Sequence, residues 1–200
     1  MPGANNVTVT NIVVGEAEIK IGNSNTTATM TEFDSANMTS VGATSGGVEI
    51  TWAPDMVDIE IDQFGDAAKI IQSKVKVTLK TTLAESTLKN LAYSWNYDFA
   101  ATSPAAGVVA NLDGANTSTL RFGVQQVNPI EKAIQVNGYA PGSNASVTKT
   151  RKFNTKRAIS FESSSVSYKR SEASTFSVSF RILPVVGDVG YEYGKIIDQI

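Results

Sequence analysis

Apolar and polar residues alternate one by one along most of this chain, and that rhythm restricts it to a β-rich fold. Val48, Ile50 and Trp52 alternate with Gly47, Glu49 and Thr51. Met56, Asp58, Glu60 and Asp62 alternate with Val57, Ile59 and Ile61. Val75, Val77 and Leu79 alternate with Lys74, Lys76, Thr78 and Lys80, and Leu120, Phe122 and Val124 with Arg121, Gly123 and Gln125. Phe176, Val178, Phe180 and Ile182 against Ser177, Ser179 and Arg181 is the clearest case. A period of two puts successive side chains on opposite faces of a strand. Each run therefore predicts a strand with one face buried and one wet, as in antiparallel sheets. Weaker runs predict further strands at 7–13, 17–22, 132–137 and 157–162.

One segment breaks the rhythm. Thr82-Leu83-Ala84-Glu85 fits a capping box, a Thr N-cap with a Glu three residues on. Leu88, Leu91, Ala92 and Trp95 then follow at i, i+3, i+4 and i+7. This predicts a helix over 83–95 that lays its apolar stripe on a sheet. Residues 23–46 are rich in Ser, Thr, Asn and Gly and too long for an ordinary connection. They read either as partly disordered or as an extended arm that orders against a partner, with Met30, Phe33 and Met38 as its apolar contacts. Residues 101–118 and 141–150 read as further loops. With 200 residues, and no internal repeat or linker, the expectation is one domain spanning 1–200.

Composition removes most catalytic chemistry. The chain contains no His and no Cys. Ser–His–Asp and Cys–His nucleophile systems, Cys/His zinc sites and disulfide scaffolds are therefore excluded. Asp58, Glu60 and Asp62 resemble a cation site at first sight. A calcium loop starting at Asp58 needs Gly at its sixth position and Glu at its twelfth, where the chain has Gln63 and Lys69. The three acids read instead as one face of a strand. A hairpin closing near residue 66 sets Asp58 opposite Lys74. No carboxylate pair, phosphate loop or dinucleotide fingerprint stands out. The expectation is a non-catalytic protein with no cofactor and no metal.

Charge is distributed unevenly. Residues 1–70 carry ten acids and two bases, a balance of −8, and residues 71–200 carry fifteen bases and nine acids, a balance of +6. Either the signs mix on the folded surface, or an acidic face meets the basic face of a neighbouring copy, as in head-to-tail assemblies. The cluster Arg151, Lys152, Lys156 and Arg157 reads as a surface for an acidic protein neighbour rather than nucleic acid, since no nucleic-acid fold signature accompanies it. The first residues have neither the basic nor the apolar region of a secretory signal. No apolar run reaches the ~20 residues of a membrane span.

One ordered set of segments carries a resemblance. Val41-Gly42-Ala43-Thr44-Ser45-Gly46-Gly47-Val48-Glu49-Ile50 precedes Asp58-Ile59-Glu60-Ile61-Asp62-Gln63. A basic alternating strand and Thr82-Leu83-Ala84-Glu85-Ser86-Thr87-Leu88-Lys89-Asn90-Leu91 follow. The set resembles the major tail-tube proteins of long-tailed bacteriophages, which are related to the tubes of R-type pyocins and to the Hcp tubes of type VI secretion. Phe180-Arg181-Ile182-Leu183-Pro184 through Tyr193-Gly194-Lys195-Ile196 resembles that family's closing segment. The resemblance covers about a third of the chain, and the cluster 151–157 and loop 101–118 fall outside it.

The resemblance implies a mainly β fold, an antiparallel sandwich or roll with one flanking helix. Its inner sheets join into a ring-shaped barrel on oligomerisation. It implies a virion protein, made in the host cytoplasm, whose hexameric rings stack head to tail. Their lumen conducts DNA without sequence-specific binding and holds the tape-measure protein. Tail-tip, baseplate and terminator proteins are the implied partners, with a sheath in contractile tails, and Asp58, Glu60 and Asp62 are lumen-facing candidates. Without the resemblance, the same alternation fits another structural β module, such as a capsid decoration or an adhesive, pilus-like subunit.

Overall fold

A computed structural model of the chain describes residues 15–24, 38–60, 62, 67–97, 107–110, 118–121, 129–143, 148–162, 164–166, 170 and 174–199. Among these residues the fold is mainly β with one helix. Its strands are β1 (Glu18–Asn23), β2 (Thr39–Ser40), β3 (Thr44–Glu60), β4 (Ala67–Leu83), β5 (Gly107–Ala110), β6 (Ser118–Arg121), β7 (Lys132–Tyr139), β8 (Thr150–Ser160), β9 (Phe176–Ile182) and β10 (Lys195–Asp198). The helix is α1 (Leu88–Ser94). An antiparallel sheet runs β2-β1-β7-β8-β9-β4-β3, with β10 also on β8, while β5 and β6 pair with each other.

Strand β8 organises the sheet. β7 lies along one edge; the other edge is shared, by β10 over Arg151–Asn154 and by β9 over Ala158–Ser160. Along its middle, β8 is also buried on both faces, through Asn154, Thr155 and Lys156. Gln135 of β7 donates to Asn154 across 3.0 Å, giving two buried polar groups a partner.

The core follows the alternation most closely in β9, where Phe176, Val178, Phe180 and Ile182 are all buried. They pack with Val77, Leu79 and Leu83 of β4, Ile19 and Ile21 of β1, and Ile134 and Val136 of β7. Each such side chain contributes about 1.5–3 kcal/mol by leaving water.

The helix is shorter than predicted. Thr82 and Leu83 belong to β4, where they pair with Ser177 and Phe176 of β9. Burial of Leu83 in the core outweighs the local cap signal. The observed N-cap is Thr87, whose hydroxyl accepts from the Asn90 amide at 3.1 Å. Glu85 does not reach back to Thr82; it accepts from the Ala43 amide at 3.0 Å and so ties the start of β3 to the helix entry. Asn90 extends the tie by donating to the carbonyls of Val41 and Glu85. Ala92 is buried with Tyr97 in a small cluster bordered by Leu88, Trp95 and Leu120, so most of the predicted stripe packs as one face.

Other boundaries also differ. The runs at 48–52 and 56–62 belong to one strand that passes through Pro54. Proline is tolerated there because β3 ends the sheet order, where a missing amide leaves no partner strand unbonded. Gly46 and Gly47 take φ of 76° and 82° in a bulge opposite Thr81 and Thr82, a conformation that favours glycine. Part of the predicted loop 101–118 is strand β5, and β8 begins at Thr150, ahead of the predicted 157. The run at 7–13 lies outside the described residues.

Candidate functional site

β3 and β4 are 17 residues each, against the usual five or six. β9 supports β4 only from Leu83 back to Val77. Beyond that point, among the described residues, β3 and β4 pair only with each other, forming a two-stranded ribbon that leaves the sheet. From Trp52 to Glu60 every residue of β3 is exposed, as is every residue of β4 from Ala68 to Lys74. At 3.3 Å per residue that stretch of β3 projects by roughly 30 Å.

Its composition does not suit water. Trp52, Met56, Val57, Ile59, Ile70 and Ile71 are all exposed, Trp52 at 58% and Ile70 at 61%. The register places them on both faces. Val57 lies opposite Ile71, and Ile59 opposite Lys69; Met56 lies opposite Gln72 and Asp58 opposite Ile70. Small apolar patches are ordinary on a monomer, but a ribbon apolar on both faces and open along its outer edges is a surface for pairing.

Asp58, Glu60 and Asp62 stand exposed toward the ribbon's far end. The predicted opposition of Asp58 and Lys74 is not formed. Glu60 already pairs with Ala67, ahead of the predicted closure at 66, and this register puts Ile70 across from Asp58 and Asp55 across from Lys74. Met38 is half-buried beside β2. Met30 and Phe33 lie outside the described residues.

The basic cluster is divided by internal pairing. Arg151 grips Asp198 of β10 through two 2.6 Å contacts, and this pairing holds the Asp198 carboxyl below its usual range. Lys156 is buried and meets Asp188 at 2.7 Å. Arg157 donates to Glu131 at 2.7 Å and to the Pro184 carbonyl at 2.8 Å. Lys152, exposed on β8, is the member best placed to meet another molecule. Alternation along the strand hid this outcome, because the acidic partners lie 26 to 47 residues away in sequence.

The Arg157 pair makes a pH prediction. Hydrogen bonds from Arg157 lower the Glu131 carboxyl below its ordinary 4.5, overcoming the opposing effect of burial. A carboxyl depressed in the folded state contributes stability above its unfolded value and loses it as pH falls through the folded value. Glu131→Gln should therefore cost stability at pH 7, and the gap to the parent should narrow below pH 4.5. Urea unfolding across that range checks this; a pH-independent gap would refute it.

The remaining surface is chemically sparse. A cleft of about 400 Å³ beside the Gly46–Gly47 bulge is lined by hydroxyls and by Glu49, Lys80 and Glu162. Lys80 and Glu162 are 3.5 Å apart, and Ser179 donates to Glu162. Among the described residues no three acids, histidines or cysteines are grouped to hold a metal ion. No helix among them is long and apolar enough to cross a membrane. No protein-family model matches the chain, and no curated protein matches it.

Proposed function

We propose that this chain is the structural subunit of a bacteriophage tail tube, closing into hexameric rings that stack head to tail. The observation that carries this reading is the projecting ribbon, a long strand pair with apolar residues on both faces and open edges. Such a surface is a liability for an isolated subunit and an asset for one that assembles. The ordered segments between Val41 and Leu91 support the same reading, since they supply the ribbon's first strand, its acidic end and the capped helix.

In the ring, sheets of adjacent copies join edge to edge into one barrel, the sandwich or roll of each subunit forming the wall. Asp58, Glu60 and Asp62 line the lumen, where negative charge repels phosphates and lets DNA slide. Met30, Phe33 and Met38, from the predicted arm, contact the neighbouring ring, while Thr39–Ser40 and the chain from Thr44 stay in the subunit's own sheet with Val41 in its core, and Lys152 meets an acidic face. Tape-measure, tail-tip and terminator proteins are further partners, and the role is structural rather than catalytic.

Negative-stain electron microscopy over a concentration series tests the proposal. Stacked rings or hollow tubes of uniform bore are expected. Closed dimers with two-fold symmetry would overturn it and favour a decoration or adhesive module.

A further inference from the structure

The ribbon leaves the sheet at a defined place, and the segment between β9 and β10 meets it there. The last β4–β9 pair is Val77 with Ile182. Beyond it, the carbonyl of Val75 takes long hydrogen bonds, both 3.4 Å, from the Arg181 guanidinium and the Tyr193 hydroxyl. The Tyr193 ring stands edge-on to Trp52, with centroids 5.8 Å apart and planes at 83°. Trp52 pairs with Val77 across the two strands, so the contact falls at the ribbon's root.

The segment is itself held at several points. Leu183 donates its amide to the Arg157 carbonyl, and the Arg157 side chain holds the Pro184 carbonyl. Val185 is buried and closes onto the Glu192 carbonyl at 2.9 Å. Asp188 is fixed by buried Lys156. Gly194 has φ of 144°, and a Cβ there would come within 2.6 Å of the Asn154 carbonyl oxygen. Glycine thus lets the chain lie directly on β8 one residue after Tyr193.

We infer that residues 183–194 are a brace, anchored on β8, that fixes the angle at which the β3–β4 ribbon leaves the sheet through the Tyr193–Trp52 contact. A two-stranded ribbon has little rigidity of its own, since each strand has one partner and no packed face. Its direction is set at the root, and Tyr193 is the part of the anchored segment that touches it. The brace belongs to the single folded chain, so it stands whether or not the chain forms rings.

Distance measurement between spin labels tests this. The chain has no cysteine, so Lys69→Cys on the ribbon and Lys152→Cys on β8 give two unique labels, with labelled chain diluted in excess unlabelled chain. The unmodified brace and Tyr193→Phe, which keeps the ring, are expected to give one narrow distance. Tyr193→Ala should lose that single distance in favour of a broad distribution. Trp52→Ala, which removes an exposed side chain from the other half of the contact, should do the same. Retention of the narrow distance in both alanine variants, each folded by circular dichroism, would overturn the brace.

Discussion

Asp188→Asn is expected to destabilise the chain by about 3–5 kcal/mol, the cost of leaving a buried cation uncompensated. The Lys156 side chain is 2% exposed and that of Asp188 14%, at 2.7 Å. The interacting Asp188 oxygen has no aligned hydrogen bond, so the attraction is one of charge on charge rather than a directed bond. Coulomb attraction of this kind is strong where water is excluded and weak where it is not. The exposed Arg151–Asp198 pair is the internal comparison: its geometry is better, yet solvent screens it, and its removal should matter much less. Lys156→Met combined with Asp188→Asn should recover most of the loss, because the buried charge is then gone. Urea unfolding of the single and double variants reads this directly. An Asp188→Asn loss below about 0.5 kcal/mol would mean that water reaches Lys156 in solution and that the pair is not sealed.

Particular residues show why some of this was legible in the sequence and some was not. β9 was readable because its apolar residues face one core and its neighbours fix the register on both sides. Thr82-x-x-Glu85 misled because a cap signal is local, whereas Leu83 is claimed by strand pairing and burial. The ribbon was half legible. Alternation located its strands, but the same pattern predicted one buried face where both are exposed. The contrary signal was present: Met56 beside Val57, and Ile70 beside Ile71, put apolar groups on both faces at once. The internal pairing of the basic cluster was hidden for a different reason. Four cations close in sequence announce a patch only if their counter-charges are elsewhere, and Glu131, Asp188 and Asp198 are brought to them by tertiary folding. The brace was invisible for the same reason, since Trp52 and Tyr193 are joined only when β9 ends beside β4.

Replacing Val57, Ile59, Ile70 and Ile71 together with Thr is expected to leave the single chain folded and to abolish its assembly. Threonine keeps the branched Cβ that suits a strand, so the ribbon's backbone preference is retained. All four side chains are exposed in the single chain, so their polarity changes the stability of that chain little. In an assembly that buries them, each loses apolar contact worth about 1 kcal/mol, given that they begin partly covered. Four such losses sum to about 4 kcal/mol, or roughly a thousandfold in each association constant. A ring repeats the same contact around its circumference, so the loss compounds with every subunit added. Sedimentation velocity over a concentration series separates the two effects. The parent should form large species that the quadruple variant does not, while the circular dichroism and unfolding midpoint of the two single chains agree. Equal assembly of parent and variant would show that the ribbon's apolar faces are not what the neighbouring copies hold. A variant that neither assembles nor folds would instead place these four side chains in the stability of the chain itself, contrary to their exposure.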